Sequence, residues 1–319
     1  MPLRIVFFGT PEFAVPTLAA LIASSHAIAA VVTQPDRPRG RGQHLQPSPV
    51  KALALEHGLP VLQPPTLKDD AAAQAVRDLG VDLGVVAAYG RILPQRLLDI
   101  PRLGMINVHA SLLPRWRGAA PVHRAVMAGD RTTGVTIMRV VLALDAGPKL
   151  AVRETEIGAT ETSGEVERRL AKIGGELLVE VVDRLAAGPV TETPQNDALA
   201  TYAAKLDKHE RSVDWSRSAQ EIHDRIRGLQ PWPVAASMLH DKRLLLRASA
   251  VDSSDLPHPR PGEIVGVESD GLVVGTGAGL LRLLEVQAEG RPPASVRDFL
   301  NGHRVVAGDR FLPLPVAAT

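Results

Sequence analysis

Apolar residues recur along this chain in two different periods. Arg4–Phe8, Ile28–Thr33, Val61–Gln63, Leu83–Ala88 and Met105–His109 are short, nearly continuous apolar runs of strand length. Between them, Ala14–Ser24, Ser48–His57 and Asp70–Leu79 carry apolar residues at helical spacing. Ser48 followed by Pro49 predicts a helix start, with a side-chain cap and a proline in the first turn. Strands that are apolar on both sides predict a parallel sheet covered by helices on both faces. The alternation therefore predicts an α/β fold with a doubly wound, Rossmann-like sheet. Thr133–Val140 and Leu150–Glu154 add strands, and Ser163–Ala187 predicts a long amphipathic helix.

Beyond Ala187 the pattern fades. Residues 189–207 are polar and irregular, with two prolines, and are expected to link two domains, 1–188 and 208–319. In the second domain one helix, Ser218–Arg227, precedes five short strands: Ala235–Leu239, Arg243–Val251, Gly262–Val267, Leu272–Gly275 and Leu280–Val286. Turn residues separate these strands, as in a small OB-like β-barrel.

The length of 319 residues suits two domains. Basic residues (36) and acidic residues (35) nearly cancel, so any nucleic-acid contact must come from a local basic patch. The absence of cysteine excludes disulfides, thiolate zinc sites and cysteine nucleophiles. The segment MPLRIVFFGTPEF reads as a core strand, not a leader, and no run of 18 apolar residues occurs. A cytoplasmic protein with no membrane partner is expected.

Three features could carry chemistry. Gly9 after the first strand is a lone glycine, and Pro11 removes a backbone donor, so a dinucleotide fingerprint is absent and a tight turn is the simpler reading. Asn107 and His109 alternate along one strand and share a face. An amide can donate to a developing oxyanion and an imidazole can move a proton, a pairing suited to acyl transfer. Asp145 follows a strand and is a candidate partner for the imidazole, although a histidine ending a strand is often only structural. Third, the loop Gln34–Pro49 carries Arg37, Arg39 and Arg41 among glycines and prolines. Such a loop suits phosphate binding or is a solvated insertion.

Taken together, FFGTPEFAVPTL, TQPDRPRGRG with SPVK, AAYGRILP, GMINVHASLLPRWRGAAPVHRAVMAGD, GVTIM, LDAG, TYAAKL and WPVA resemble the methionyl-tRNA formyltransferase family across essentially the whole chain. The SLLP-x-x-RG-x-x-P signature is specific for enzymes that use 10-formyltetrahydrofolate. The resemblance implies formyl transfer to the α-amino group of methionine on charged initiator tRNA, without a metal. It implies catalytic roles for Asn107, His109 and Asp145. It implies a folate pocket from Ala88, Tyr89, Gly90, Ile92 and Leu93, from Ser111, Leu112, Leu113 and Pro114, and from Leu142 and Gly147. It implies tRNA contacts from Arg37, Arg39 and Arg41, and from Lys205, Lys208, Lys242 and Arg243 of the second domain. A monomer is expected. Folate-dependent formyltransferases acting on a sugar nucleotide or another small amine share the Asn–His–Asp set but are not expected to carry PDRPRGRG. A non-catalytic tRNA- or folate-binding protein would not require all three residues. The turn departs from the family pattern: where relatives read GLDTGDML, this chain reads ALDAGPKL, keeping Asp145 and Gly147 but placing Ala146 and Pro148 beside them.

Overall fold

The computed structural model describes residues 1–39, 44–253 and 260–315. The chain forms two compact units. The first comprises Met1–Pro121, Thr132–Glu156 and Glu167–Ala203; the second comprises Val122–Arg131, Ile157–Val166 and Ala204–Thr319.

In chain order the first elements are β1 (Arg4–Gly9), α1 (Val15–Ile22), β2 (Ala27–Val32), β3 (Arg37–Arg39), β4 (His44–Gln46), α2 (Pro49–Glu56) and β5 (Val61–Leu62). Next come α3 (Asp70–Arg77), β6 (Leu83–Ala87), α4 (Gln95–Leu98), β7 (Met105–His109), β8 (Arg117–Gly118) and α5 (Pro121–Met127). Then follow β9 (Thr132–Arg139), β10 (Lys149–Glu156), α6 (Ser163–Ala187) and β11 (Tyr202–Ala203). The second unit continues with α7 (Ala219–Gly228), β12 (Ala236–Leu239), β13 (Lys242–Asp252), β14 (Ile264–Glu268), β15 (Gly271–Gly275), β16 (Leu280–Ala288), β17 (Ala294–Ser295) and α8 (Val296–Gly302).

The first unit is built on a seven-stranded sheet in the order β10-β9-β7-β6-β1-β2-β5. The five strands β5, β2, β1, β6 and β7 are parallel, as their unbroken apolar character predicts. The two later strands complete the sheet in the other sense: β9 runs antiparallel to β7, and β10 antiparallel to β9. The reason is visible in β10, where buried and exposed residues alternate, the pattern of an edge strand with one face in water. Alternation also splits β1 between two layers. Val6 and Phe8 pack with Ala72, Ala73 and Val76 of α3 and Leu97 and Leu98 of α4. On the opposite face, Gly174 and Gly175 let α6 approach closely: a Cβ at the first would lie 2.7 Å from Val108, and at the second 2.8 Å from the Pro16 carbonyl oxygen.

Residues 192–203, polar and irregular in sequence, have fixed partners in this unit. Thr193 exchanges two 2.8 Å backbone hydrogen bonds with Lys149, and β11 pairs in parallel with β8.

In the second unit the strands form an antiparallel sheet, β12-β13-β16-β15-β14, with β17 on β16. Its two outer strands are joined through residues 308–312. Phe311 N–H donates to Gly262 O at 2.8 Å, Ile264 N–H to Asp309 O at 2.8 Å, and Met238 N–H to Leu312 O at 2.8 Å. This closes the OB-like barrel, a step with no apolar alternation to signal it in sequence. The buried Phe311 ring stacks on Trp215 with centroids 5.2 Å apart.

Gly262 tests this closure. It has φ +86°, and a Cβ there would lie 2.3 Å from the Phe311 carbonyl oxygen. Gly262→Ala is expected to cost about 2–3 kcal/mol, from left-handed strain and displacement of the closing segment. Urea unfolding followed by tryptophan fluorescence would measure the loss.

Candidate active site

The carboxyl end of the sheet is organised by register. One rung runs Leu62–Val32–Phe8–Val86–Asn107–Met138 across six strands. Asn107 therefore projects on the same face as Phe8, and His109 follows it two residues later on that face. His109 is 5% exposed. Its Nε2 lies 3.0 Å from the Trp116 carbonyl oxygen, which can only accept, so Nε2 carries a hydrogen. Nδ1 is left for chemistry, and the Asp145 Oδ2 stands 3.7 Å from it, longer than a hydrogen bond.

Asp145 sits in the turn between β9 and β10 with φ +47°, a conformation aspartate tolerates better than most residues. Its Oδ2 accepts a hydrogen bond from Gly118 N–H at 2.9 Å. The carboxylate thus bridges two strand ends that are remote in sequence. The turn itself is clamped by Gln195, whose Nε2 donates to Asp145 O at 2.8 Å and Gly147 O at 2.7 Å. Gln195 Oε1 in turn accepts from the Arg117 guanidinium, at 3.1 Å from Nε and 2.8 Å from Nη2, and Asp197 accepts from Nη2 at 2.6 Å. Arg117 is buried, so these contacts satisfy a charge that would otherwise be costly. Gly147 is required by space, since a Cβ would lie 1.9 Å from the Arg139 carbonyl oxygen. Gln195 lay outside any sequence motif, fifty residues from the turn it holds. Only the nearby Arg117 in RWRG hinted that a buried cation needed partners.

The residues expected to face folate divide into two sets. Ala88, Gly90, Ile92 and Leu142 are exposed, and Ile92 (83%), Leu142 (61%) and Leu144 (58%) leave large apolar side chains in the open. Tyr89, Leu93, Ser111, Leu113 and Gly147 are buried, and Leu112 and Pro114 are half-buried. Ser111 Oγ donates to Arg115 O at 2.7 Å, while Thr136 Oγ1 donates to Ser111 O at 2.7 Å and accepts from Leu113 N–H at 3.2 Å. Ser111 and Leu113 therefore hold the loop after β7 in shape, and their side chains do not line an open surface. The Tyr89 carbonyl accepts from Thr10 Oγ1 at 3.1 Å and Gln34 Nε2 at 2.8 Å. Burial pushes the Tyr89 phenol up from its ordinary range, with Arg91 opposing.

The arginine loop is anchored as a hairpin. β3 and β4 pair antiparallel, Arg37 with Gln46 and Arg39 with His44. Arg37 is exposed and donates to Gln34 Oε1 at 2.9 Å; Arg41 lies outside the described residues, and β3 ends at Arg39. At the base, Lys51 Nζ donates to Asp36 Oδ2 at 2.6 Å and Gln63 Oε1 at 2.7 Å, and Gln63 Nε2 donates to Asp36 Oδ1 at 2.8 Å. The bonds from Lys51 and then Gln63 hold the Asp36 carboxyl below its usual range.

In the second unit Lys205, Lys208 and Lys242 are exposed. Arg243 is half-buried, and its guanidinium is paired with Glu289. Among the described residues, no helix is long and apolar enough to cross a membrane, and no cluster of three or more acidic or histidine ligands could hold a metal ion.

With this geometry in place, the comparisons are direct. The formyl transferase profile matches residues 3–182, and the formyl transferase C-terminal domain profile matches residues 205–304. The chain is 50% identical to a methionyl-tRNA formyltransferase of Methylococcus capsulatus over 97% of this chain and 99% of that one. It is 52% identical to a methionyl-tRNA formyltransferase of Pseudomonas paraeruginosa over 95% and 96%. The chain belongs to the formyl transferase family. Two more distant structures share its fold. A sugar 3N-formyl transferase, WlaRD, superposes with a TM-score of 0.68 at 14% identity over 92% of this chain and 100% of that one. HypX from Aquifex aeolicus, in complex with tetrahydrofolic acid, gives 0.62 at 18% identity over 97% and 51%. The formyl transferase fold therefore places Asn107, His109 and Asp145 at one sheet end, with an exposed apolar rim beside them.

Two outcomes are expected. Gln195→Ala removes two donors from the turn carbonyls and one acceptor from the buried Arg117, costing about 1–3 kcal/mol in thermal unfolding. Gln195→Glu keeps the acceptor but loses both donors, and should recover only part of that loss. The Asp36 anchor has a definite pH sign. A depressed folded-state pKa gives stability that is full above the unfolded value, roughly 3.9, and is lost as pH falls through the lower folded value. Protection of the Gln34, Asp36 and Arg37 amides, taken relative to intrinsic exchange at each pH, should therefore hold at pH 5 and fall only below the ordinary carboxylate range.

Proposed function

We propose that this protein transfers the formyl group of 10-formyltetrahydrofolate to the α-amino group of methionine on charged initiator tRNA. The observation that carries the reading is the convergence of Asn107, His109 and Asp145 on one sheet end, with His109 Nδ1 3.7 Å from Asp145 Oδ2. The near-full-length identity to methionyl-tRNA formyltransferases supports the choice of acceptor.

The folate fits the residues present: an open apolar rim at Ile92, Leu142 and Leu144 suits a flat ring, and its neighbours Ala88 and Gly90 expose backbone. When bound, it supplies the activated formyl carbon. As the neutral amine adds to that carbon, negative charge gathers on the formyl oxygen. Asn107 donates its amide hydrogen to that oxygen. His109 carries a proton at Nδ1, stabilising the same charge and moving a proton between the attacking amine and the leaving nitrogen. Asp145 stabilises the positive imidazolium and is itself fixed by Gly118 N–H. One carbon–nitrogen bond forms, one breaks, and the amine proton ends on the departing tetrahydrofolate nitrogen.

Arg37, Arg39 and Arg41 approach the acceptor end, and the exposed Lys205, Lys208 and Lys242 contact phosphates elsewhere on the tRNA; Arg243 contributes through its Glu289 pair. Residues 1–188 are read as the catalytic domain and 208–319 as the tRNA-binding domain. Action as a monomer belongs to the same reading, and the tRNA substrate supports a cytoplasmic site.

Transfer of labelled formyl to charged initiator tRNA tests the reading. Asn107→Ala should lower kcat about 10²–10³-fold with little change in KM. Asp145→Asn and His109→Ala should be at least as severe, and activity should fall at low pH as the amine protonates. Arg41→Ala should raise KM for tRNA more than for folate. Equal activity on a sugar amine, or binding without transfer in the wild type, would defeat the assignment.

A further inference from the structure

The first unit contains a cavity of about 310 Å³ at the carboxyl ends of β1, β2 and β5, between the sheet and α3. Its walls are almost wholly apolar, led by Phe8, Val32, Leu62, Leu67, Ala72 and Val76. Three of these, Leu62, Val32 and Phe8, belong to the same rung as Asn107. The cavity wall and Asn107 therefore lie on one sheet face, with β6 and its half-buried Val86 between β1 and β7.

We propose that this cavity receives the methionine side chain of the aminoacyl acceptor; the inference rests on the reading of the reaction given above. Distance supports it. Two strand spacings put β1 roughly 10 Å from β7. A hydrogen bond from Asn107 spans about 3 Å to the formyl oxygen. An extended methionyl group reaches on the order of 6 Å further from its nitrogen to its terminal methyl. A formyl group held by Asn107 thus leaves the thioether at the cavity beside Phe8. Size agrees, since four heavy atoms at roughly 30 Å³ each fit well inside 310 Å³. Chemistry agrees as well: an unbranched, polarizable thioether fills irregular apolar space and makes favourable contacts with aromatic rings. Here Phe8 lines the cavity, and Tyr89 packs edge-on against Phe8 with centroids 5.5 Å apart.

A second observation ties the cavity to the acceptor's approach. Gln63 is part of the cavity wall, and its Nε2 donates to Gln34 O at 3.0 Å and Asp36 Oδ1 at 2.8 Å. Those two residues form the base of the arginine hairpin. Gln34 also donates to Tyr89 O at 2.8 Å. One hydrogen-bonded network therefore connects the hairpin base, the cavity and the strand end beside the reacting residues. An aminoacyl end arriving past the hairpin meets the cavity on its way to Asn107.

The test uses the full chain and initiator tRNA charged with different amino acids. Wild-type kcat/KM should be similar for methionyl and norleucyl acceptors and at least tenfold lower for alanyl and glutaminyl ones, a range expected when an apolar pocket is left empty or receives a polar group. Rates blind to the side chain would overturn the proposal without any variant. Ala72→Leu and the half-buried Ala75→Leu fill the cavity from α3. Each should raise the methionyl KM tenfold or more while leaving alanyl transfer and the KM for folate nearly unchanged. Equal losses for both acceptors in variants with wild-type melting temperatures would sink it. Absence of any transfer to methionyl-tRNA by the wild type would instead refute the reaction itself.

Discussion

The structure depends on how a turn with no regular structure of its own is held in place. Asp145 lies at φ +47° between two antiparallel strands, and nothing in the sheet fixes its side chain. One contact fixes the side chain, Gly118 N–H on the carboxylate, while the Gln195 amide holds the backbone through the carbonyls of Asp145 and Gly147. Because Gln195 also satisfies the buried Arg117, turn, strand β8 and the 192–203 segment share one polar network. Such networks are stiff when complete and costly when one member is missing. The altered residues Ala146 and Pro148 are accommodated there: these contacts grip backbone carbonyls and the Asp145 carboxylate, and make no use of the side chains that differ.

Much of this was legible in sequence, for a physical reason. The five parallel strands are buried on both faces, so their apolar runs are unbroken, and Ser48 caps α2 through its Oγ to Lys51 N–H at 3.1 Å as its position before Pro49 predicts. Asn107 and His109 share a face because strand periodicity leaves no other choice. What escaped is what depends on distant partners. The hairpin strands β3 and β4 read RPR and HLQ, which carry no strand pattern. The Gln195 clamp and the Arg243–Glu289 pair join residues about fifty apart, with no local signal for either.

The buried and the exposed parts of the site divide the work. Ser111, Leu113 and Thr136 are interior and fix the loop after β7, while Ile92, Leu142 and Leu144 leave apolar side chains exposed. An exposed cluster of large apolar residues is tolerable because it is small and flanks a polar centre. The hairpin anchor adds a third layer: Lys51, Asp36 and Gln63 spend no apolar burial, yet fix where the arginines begin.

The closing segment of the barrel has a consequence for biogenesis. Residues 308–312 follow every named element in chain order, and among the described residues they hydrogen-bond to both the β14 and the β12 sides. During synthesis, a chain complete through α8 still exposes two unpaired strand edges and leaves Trp215 without its stacking partner. Without those residues the β14 and β12 sides lack their closing hydrogen bonds, and unpaired strand edges are prone to pair with other chains. A small truncation there would therefore be felt first as aggregation of newly made protein.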